Sequence, residues 1–265
     1  MKVRILGTGT STGVPIPGCL CEVCTSKNPK NNRLRCSVHI EYIDAASNPY
    51  SLLIDTSTDL RQQALRANLN CIDAVLFTHT HADHVHGIDD LRSFNFINNT
   101  NIDLYAIKAS ADELESKFRY CFHKDPVYEG GAPPRLRLHR FEPNEALTLG
   151  NREIVPLPVR HGSLEVMGYR SENFAYITDC SEIPPATKEL LKNVEIVVLD
   201  GLRNRPHKTH FTIDQAIAEL EQIAPKRAYL THISHELEHE QTNQELKAKS
   251  SIPIELAYDC LEFVL

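Results

Sequence analysis

The sequence predicts an α/β (α+β) fold of layered β-sheets with helices on the outside. Three observations carry that expectation. Short apolar runs rich in Val, Ile and Tyr recur along the 265 residues, each bounded by Asp, Asn, Gly or Pro. Amphipathic stretches of helical length fall between them. The composition, 42% apolar and 24% charged, is that of a globular chain able to bury a core.

Taken in order, strands are expected at 2–6 (KVRIL), 37–43 (SVHIEYI), 51–55 (SLLID) and 73–78 (DAVLFT), with a helix at 58–67 between the last two. A strand at 103–107 and a helix at 110–119 follow. The segment 123–140 (HKDPVYEGGAPPRLRLHR) is rich in Gly, Pro and Arg and reads as a long loop or lid. Strands at 152–158, 173–178, 195–200, 226–231 and 261–265 complete the set, with helices at 184–192, 212–223 and 239–247. Thr212 before IDQAIAELEQI is the expected N-cap, and Gln215 stands three residues on, as a capping box requires. No repeat or linker divides the chain, so a single domain over 1–265 is expected.

Charge and cysteine usage narrow the function classes. A formal net charge of −7 argues against a general nucleic-acid binder. The N-terminus MKVRILGTGTSTG carries no apolar run of signal-peptide length, and no segment reaches membrane-spanning length, so a cytoplasmic protein with no membrane partner is expected. Eight cysteines in that compartment point to metal or chemistry rather than disulfides. Cys36, Cys71, Cys121 and Cys260 are read as small core residues, and Cys180 is given no chemistry.

The strongest motif is Thr78-His79-Thr80-His81-Ala82-Asp83-His84-Val85-His86-Gly87. Four metal-capable side chains, His79, His81, Asp83 and His84, follow an apolar strand directly. A strand end is a rigid base from which side chains converge on one point. Imidazole suits zinc, manganese and iron, and the carboxylate favours a harder ion. His86 is read as a polar residue entering the next helix. Three further residues stand just after strands: His161 after EIVPLPVR, Asp179 after NFAYIT and His232 after KRAYLT. A second cluster, Cys19-Leu20-Cys21-Glu22-Val23-Cys24, offers three thiols where a tetrahedral zinc wants four ligands.

His79-x-His81-x-Asp83-His84 followed by His161, Asp179 and His232 resembles the metallo-β-lactamase superfamily over essentially the whole chain. The resemblance implies an αββα sandwich with the metals at one edge. It implies that His79, His81 and His161 hold one divalent ion, that Asp83, His84 and His232 hold the other, and that Asp179 bridges them. The carboxylates Asp83 and Asp179 together suit a hydrolytic zinc or manganese pair, which clamps the oxygens of a phosphoryl displacement. The redox di-iron branch is set aside, because it uses a Glu where this chain has His81.

Phosphodiesterase branches carry a proton-donating histidine before the helix that starts near 212. In PHKTHFT, His210 matches that place and His207 is the runner-up. The Cys-x-Cys-x-x-Cys cluster resembles the phosphoribosyl cyclic phosphate phosphodiesterases, in which three thiolates and a histidine three residues past the last active-site histidine hold a structural zinc. Here that histidine is His235, and the resulting site is closed to substrate. GTGTSTG, with glycines at 7, 9 and 13, lacks the spacing of a nucleotide loop and reads as a turn bringing backbone near the metals. Arg33, Arg35, Arg135, Arg137 and Arg140 are read either as phosphate contacts or as solvated charge.

The expectation is thus a small-phosphodiester hydrolase acting on a cyclic or linear ribose phosphate, with two catalytic metals and one structural zinc. A thioesterase or nuclease of the same fold, or a non-catalytic metal-binding module, are the rivals. A homodimer is left open.

Overall fold

In this computed structural model, which describes residues 1–123 and 132–265, the apolar runs form two seven-stranded sheets. Strands are numbered in chain order. The first sheet sets β1 (Lys2–Gly7), β2 (Ser37–Ile43), β3 (Pro49–Ile54), β4 (Ala74–Leu76), β5 (Ile102–Ile107) and β6 (Leu136–Phe141) side by side. The second sets β7 (Leu147–Leu149), β8 (Arg152–His161), β9 (Leu164–Ser171), β10 (Phe174–Ile177), β11 (Ile196–Asp200) and β12 (Arg227–Thr231) in the same way, with β13 (Ile254–Leu256) beyond β12. The last strand, β14 (Glu262–Val264), returns to pair with β1.

Period-two alternation sorts the side chains into layers. Leu52 and Ile54 of β3 meet Phe174 and Tyr176 of β10 and Val198 of β11 in one cluster between the sheets. Leu53 points the other way, onto Leu60 of the helix Leu60–Ala67 and Phe94 of the helix Arg92–Asn98. Ala175, Ile177, Val197 and Leu199 likewise turn outward onto Ala216, Ile217 and Leu220 of the helix Ile213–Ile223. Burial of a Leu or Phe in such a layer contributes roughly 2 kcal/mol. The four layers are those of an αββα sandwich. Thr212 caps Ile213–Ile223 through the expected capping box with Gln215. No helix among the described residues is long and apolar enough to cross a membrane.

Several elements depart from the sequence reading. The loop expected at 123–140 ends earlier, because 136–141 form β6, and residues 124–131 lie outside the described residues. β6 was hidden by its charges: LRLHRF is an edge strand of mostly exposed or half-exposed side chains, and charge is what keeps such an edge from pairing further. β9 was hidden by Gly168, a weak strand residue. A Cβ there would lie 2.8 Å from the Tyr176 carbonyl, so the close approach of β9 to β10 requires glycine. The short strands β7 and β13 and the helices Ala82–Val85, Arg92–Asn98 and Arg119–Phe122 carry too few residues to show a period. Cys36 and Cys121 are buried as expected, whereas Cys71 and Cys260 are only partly covered.

Candidate metal centre

Strand direction brings the chemistry to one edge. β3 and β4 are parallel, and so are β10, β11 and β12, while β8 lies two antiparallel steps from β10 and shares its direction. Asp55, the motif at 79–84, His161, Asp179, Asp200 and His232 all stand at or just past the carboxyl ends of these strands. Three of them, Asp55, Asp179 and His232, hold φ of 62°, 51° and 58°, a left-handed conformation that a non-glycine residue adopts at a cost of about 1–3 kcal/mol. The packed sheets hold that strain where the side chains must converge.

His79, His81, His161 and Asp179 offer ligand atoms within 4.8 Å of one another, as do Asp83, His84 and His232. Asp179 faces both sets: its Oδ1 lies 3.2 Å from His84 Nε2, and its Oδ2 lies 3.3 Å from His232 Nε2 and 3.8 Å from His79 Nε2. Asp83 Oδ2 is 3.3 Å from His84 Nε2 and 3.8 Å from His232 Nε2. All are buried except His81, which stands at the exposed mouth of the site. The structure thus brings together every residue of the sequence motif.

Hydrogen bonding fixes the rings. Asp55, fully buried, accepts from Thr78 N and Thr78 Oγ1, both at 2.8 Å, and from His84 Nδ1 at 2.7 Å. His161 Nδ1 donates to the Thr209 carbonyl at 2.8 Å, and His79 Nδ1 lies 3.0 Å from Thr78 Oγ1. With Nδ1 engaged, Nε2 of each ring turns toward the carboxylates. The Nε2 atoms of His79, His84 and His232 are buried and have no hydrogen-bond partner among the described residues. Leaving such atoms unpaired is costly. A divalent cation, which the fold family implies, satisfies them, so the residues fit the group.

Electrostatics point the same way. Burial, joined by the neighbouring His84, pushes the His79 imidazole well below its ordinary range. Burial would raise Asp179, but His232 and His84 hold its carboxyl well below the usual carboxylate range. The site therefore presents ionised carboxylate, and the same carboxylates raise His84 and His232 against the effect of burial, so that a cation bound there would take the place of their protons.

His210 joins the cluster from the loop before Ile213–Ile223. It is 8% exposed, and its ring stacks 4.5 Å from that of His232. A ligand atom of His210 lies within 4.8 Å of those of Asp179 and His232. His210 Nδ1 is 3.2 Å from Asp200 Oδ1, and Asp200 Oδ2 accepts from Phe211 N at 2.8 Å. His207 is exposed, with its ring 5.0 Å from that of His210. His86, also exposed, rests edge-on against Phe118. Asp55 and Asp200 were missed from sequence, although both obey the strand-end rule that singled out Asp179: each is a lone acid closing an apolar run.

The second cluster lies apart. Cys19, Cys21 and Cys24 place their sulfurs 3.4, 3.4 and 3.7 Å from His235 Nδ1. The backbone N–H of Cys24 lowers the Cys21 thiol to about 6, whereas burial raises Cys24 to about 11. The glycine-rich turn runs between the two clusters, where Ile233 N donates to Thr8 O and Thr10 N to Ile233 O. Arg33 is neither a phosphate contact nor solvated charge. It is 1% exposed, and its guanidinium donates to the Ser234 and Leu237 carbonyls at 2.8 and 2.7 Å and to Asn31 Oδ1 at 3.1 Å, bracing the segment between His232 and His239. The other four arginines are engaged on the protein itself: Arg35 with Asp59, Arg137 with Asp103, Arg140 with Asp112 and Glu115, and Arg135 with Asn95 and Asn99.

Residues 50–233 match the beta-lactamase superfamily domain. The chain is 38% identical over 266 residues to a Porphyromonas gingivalis protein named octanoyltransferase; it is matched in full and spans about half, 52%, of that protein. It superposes on a structure described as a new diphosphatase from the PhnP family with a TM-score of 0.88 and 39% identity, covering 100% of this chain and 97% of the other. Zinc-bound PqqB from Methylobacterium extorquens, at 20% identity and a TM-score of 0.76 over the whole of both chains, shares the fold. From strand-end ligands to matched domain, the chain belongs to the metallo-β-lactamase superfamily.

Proposed function

We propose that this chain hydrolyses small phosphodiesters, a cyclic or linear ester of a ribose phosphate being the expected substrate, at a dinuclear site. His79, His81 and His161 would hold one ion, Asp83, His84 and His232 the other, with Asp179 shared. The observation that carries the reading is the placing of buried Asp179 between two histidine sets in which the Nε2 atoms of His79, His84 and His232 are otherwise unpaired among the described residues. Zinc or manganese bound there supplies Lewis acidity toward phosphoryl oxygens. The chain's own residues do the rest. Asp55 and the Thr209 carbonyl hold the Nδ1 protons of His84 and His161 so that Nε2 stays directed inward. His210, oriented by Asp200 at Nδ1, gives a proton to the departing oxygen. A diphosphate linkage, the bond that the PhnP-family relative's description implies, presents the same doubly substituted phosphorus. Cys19, Cys21, Cys24 and His235 form a closed set suited to a structural zinc.

A second reading is hydrolysis of an acyl thioester at the same site; the P. gingivalis relative, of which this chain spans 52%, is named octanoyltransferase, which makes an octanoyl group the one to try. Purified protein replete with zinc or manganese is to be assayed on bis(p-nitrophenyl) phosphate and on an octanoyl thioester. Turnover of the diester alone supports the proposal. Turnover of the thioester alone replaces it with the second reading. A protein inert on both, with its metals bound, would be a non-catalytic module.

A further inference from the structure

Among the metal-capable histidines, His81 is held differently. The rings of His79, His84 and His161 each meet a hydrogen-bond partner: Thr78, Asp55 and the Thr209 carbonyl respectively. His81 is exposed, and its ring has no hydrogen-bond partner among the described residues. It lies edge-on to the rings of His79 and His161, at 4.5 and 5.2 Å between centroids. Its place must therefore come from the main chain that carries it.

That main chain is gripped at Thr80, a buried residue between His79 and His81. Thr80 Oγ1 donates to Glu113 Oε2, and the Thr80 carbonyl accepts from Lys117 Nζ at 2.8 Å. Lys117 Nζ also pairs with Glu113 Oε1 at 2.7 Å. Both side chains stand on the helix Lys108–Lys117, one turn apart and so on one face. The same helix buries Ala111 and Leu114 in the layer that holds Phe77 and Leu104, which fixes it to the strand from which the motif leaves. Threonine and histidine alternate over 78–81, and each threonine answers to a different layer. Asp55 at the end of β3 takes Thr78, and the outer helix takes Thr80. An exposed ion pair adds little to stability by itself. Here it engages both the hydroxyl and the carbonyl of the one residue that separates two ligands. Resting on the dinuclear reading above, we propose that Glu113 and Lys117 are positioning residues for His81, and that they set how tightly the ion of His79, His81 and His161 is held.

The test returns zinc to the metal-free chain against a competing chelator and resolves the uptake steps. The step lost in His81→Ala identifies the ion concerned. Glu113→Ala and Lys117→Ala should each weaken that step about tenfold, the low end of what losing an outer partner costs a metal site, and leave the other steps within about twofold of wild type. Thr80→Val should do the same from the other side of the contact, and Thr80→Ser, which keeps the hydroxyl, should match wild type. The unfolding temperature of the metal-free Glu113→Ala and Lys117→Ala chains should stay near that of wild type. Equal weakening of every step, or none, overturns this inference and leaves the dinuclear reading standing. A wild type that takes up a single ion at the centre overturns the dinuclear reading instead, and the inference then fails if Glu113→Ala leaves the affinity for that ion unchanged.

Discussion

The histidine–aspartate centre gathers seven donor residues and the cysteine cluster four, and the two are built in opposite ways. The first draws its residues from the carboxyl ends of strands in both sheets, buries nearly all of them, and accepts left-handed backbone at Asp55, Asp179 and His232 to aim them. Its donors are nitrogen and oxygen, and the rings of His79, His84, His161 and His232 each meet or lie near a second partner, Thr78, Asp55, Thr209 and Asp200 respectively. The cysteine cluster sits on loops, is half-exposed, and consists of three sulfurs around one imidazole. Thiolate-rich sets close around a zinc and leave no place for substrate, whereas a mixed set at a rigid edge can leave one. Residues 232–235 carry a donor of each, so a zinc clip formed by the three cysteines and His235 would fix the chain three residues from His232.

The division can be broken by substitution, from the largest effect on turnover to the smallest. Asp179→Asn is expected to lower hydrolysis at least about a thousandfold, since it removes the carboxylate shared by both histidine sets, while zinc at the cysteines persists in elemental analysis. His210→Ala should cost roughly 10²–10⁴ in kcat with metal content unchanged, as removal of a general acid does. Cys21→Ser should release the clip zinc and lower turnover by roughly tenfold, the cost of loosening a supporting shell. Arg33→Met leaves two carbonyls and Asn31 without their buried donor, so chemical denaturation should report a loss of about 3 kcal/mol with little change in kcat.

A pH measurement separates the fold from both clusters. Burial lowers His39 to about 4, so the folded state keeps it neutral while the unfolded chain takes a proton near its ordinary value of about 6.5. Stability is then full above about 6.5 and falls as the pH drops toward 4, by about 2 kcal/mol between pH 7 and 5. His39→Gln should flatten that slope and leave turnover unaltered.

How much was legible follows from distance along the chain. His79, His81, Asp83 and His84 lie within six residues, and His161, Asp179 and His232 could be found because each closes a clear strand. Their tuning partners could not. Asp55 meets His84 across 29 positions and Arg33 meets Ser234 across 201, pairings that exist only once the sheets are stacked. The sequence read Arg33 as surface charge or a phosphate contact because nothing local marks a buried guanidinium. The layered fold was readable from alternating apolar runs, but β6 and β9 were not, since edge charge and a packing glycine both mimic loop.

The most direct test measures metal content and diester hydrolysis together in Cys21→Ser and Asp179→Asn. Two separate centres predict opposite outcomes: Cys21→Ser loses the clip zinc and keeps measurable hydrolysis, and Asp179→Asn keeps the clip zinc and loses hydrolysis. If Asp179→Asn retains full hydrolysis, or if Cys21→Ser abolishes it with all metal in place, the assignment of chemistry to the histidine–aspartate centre is wrong.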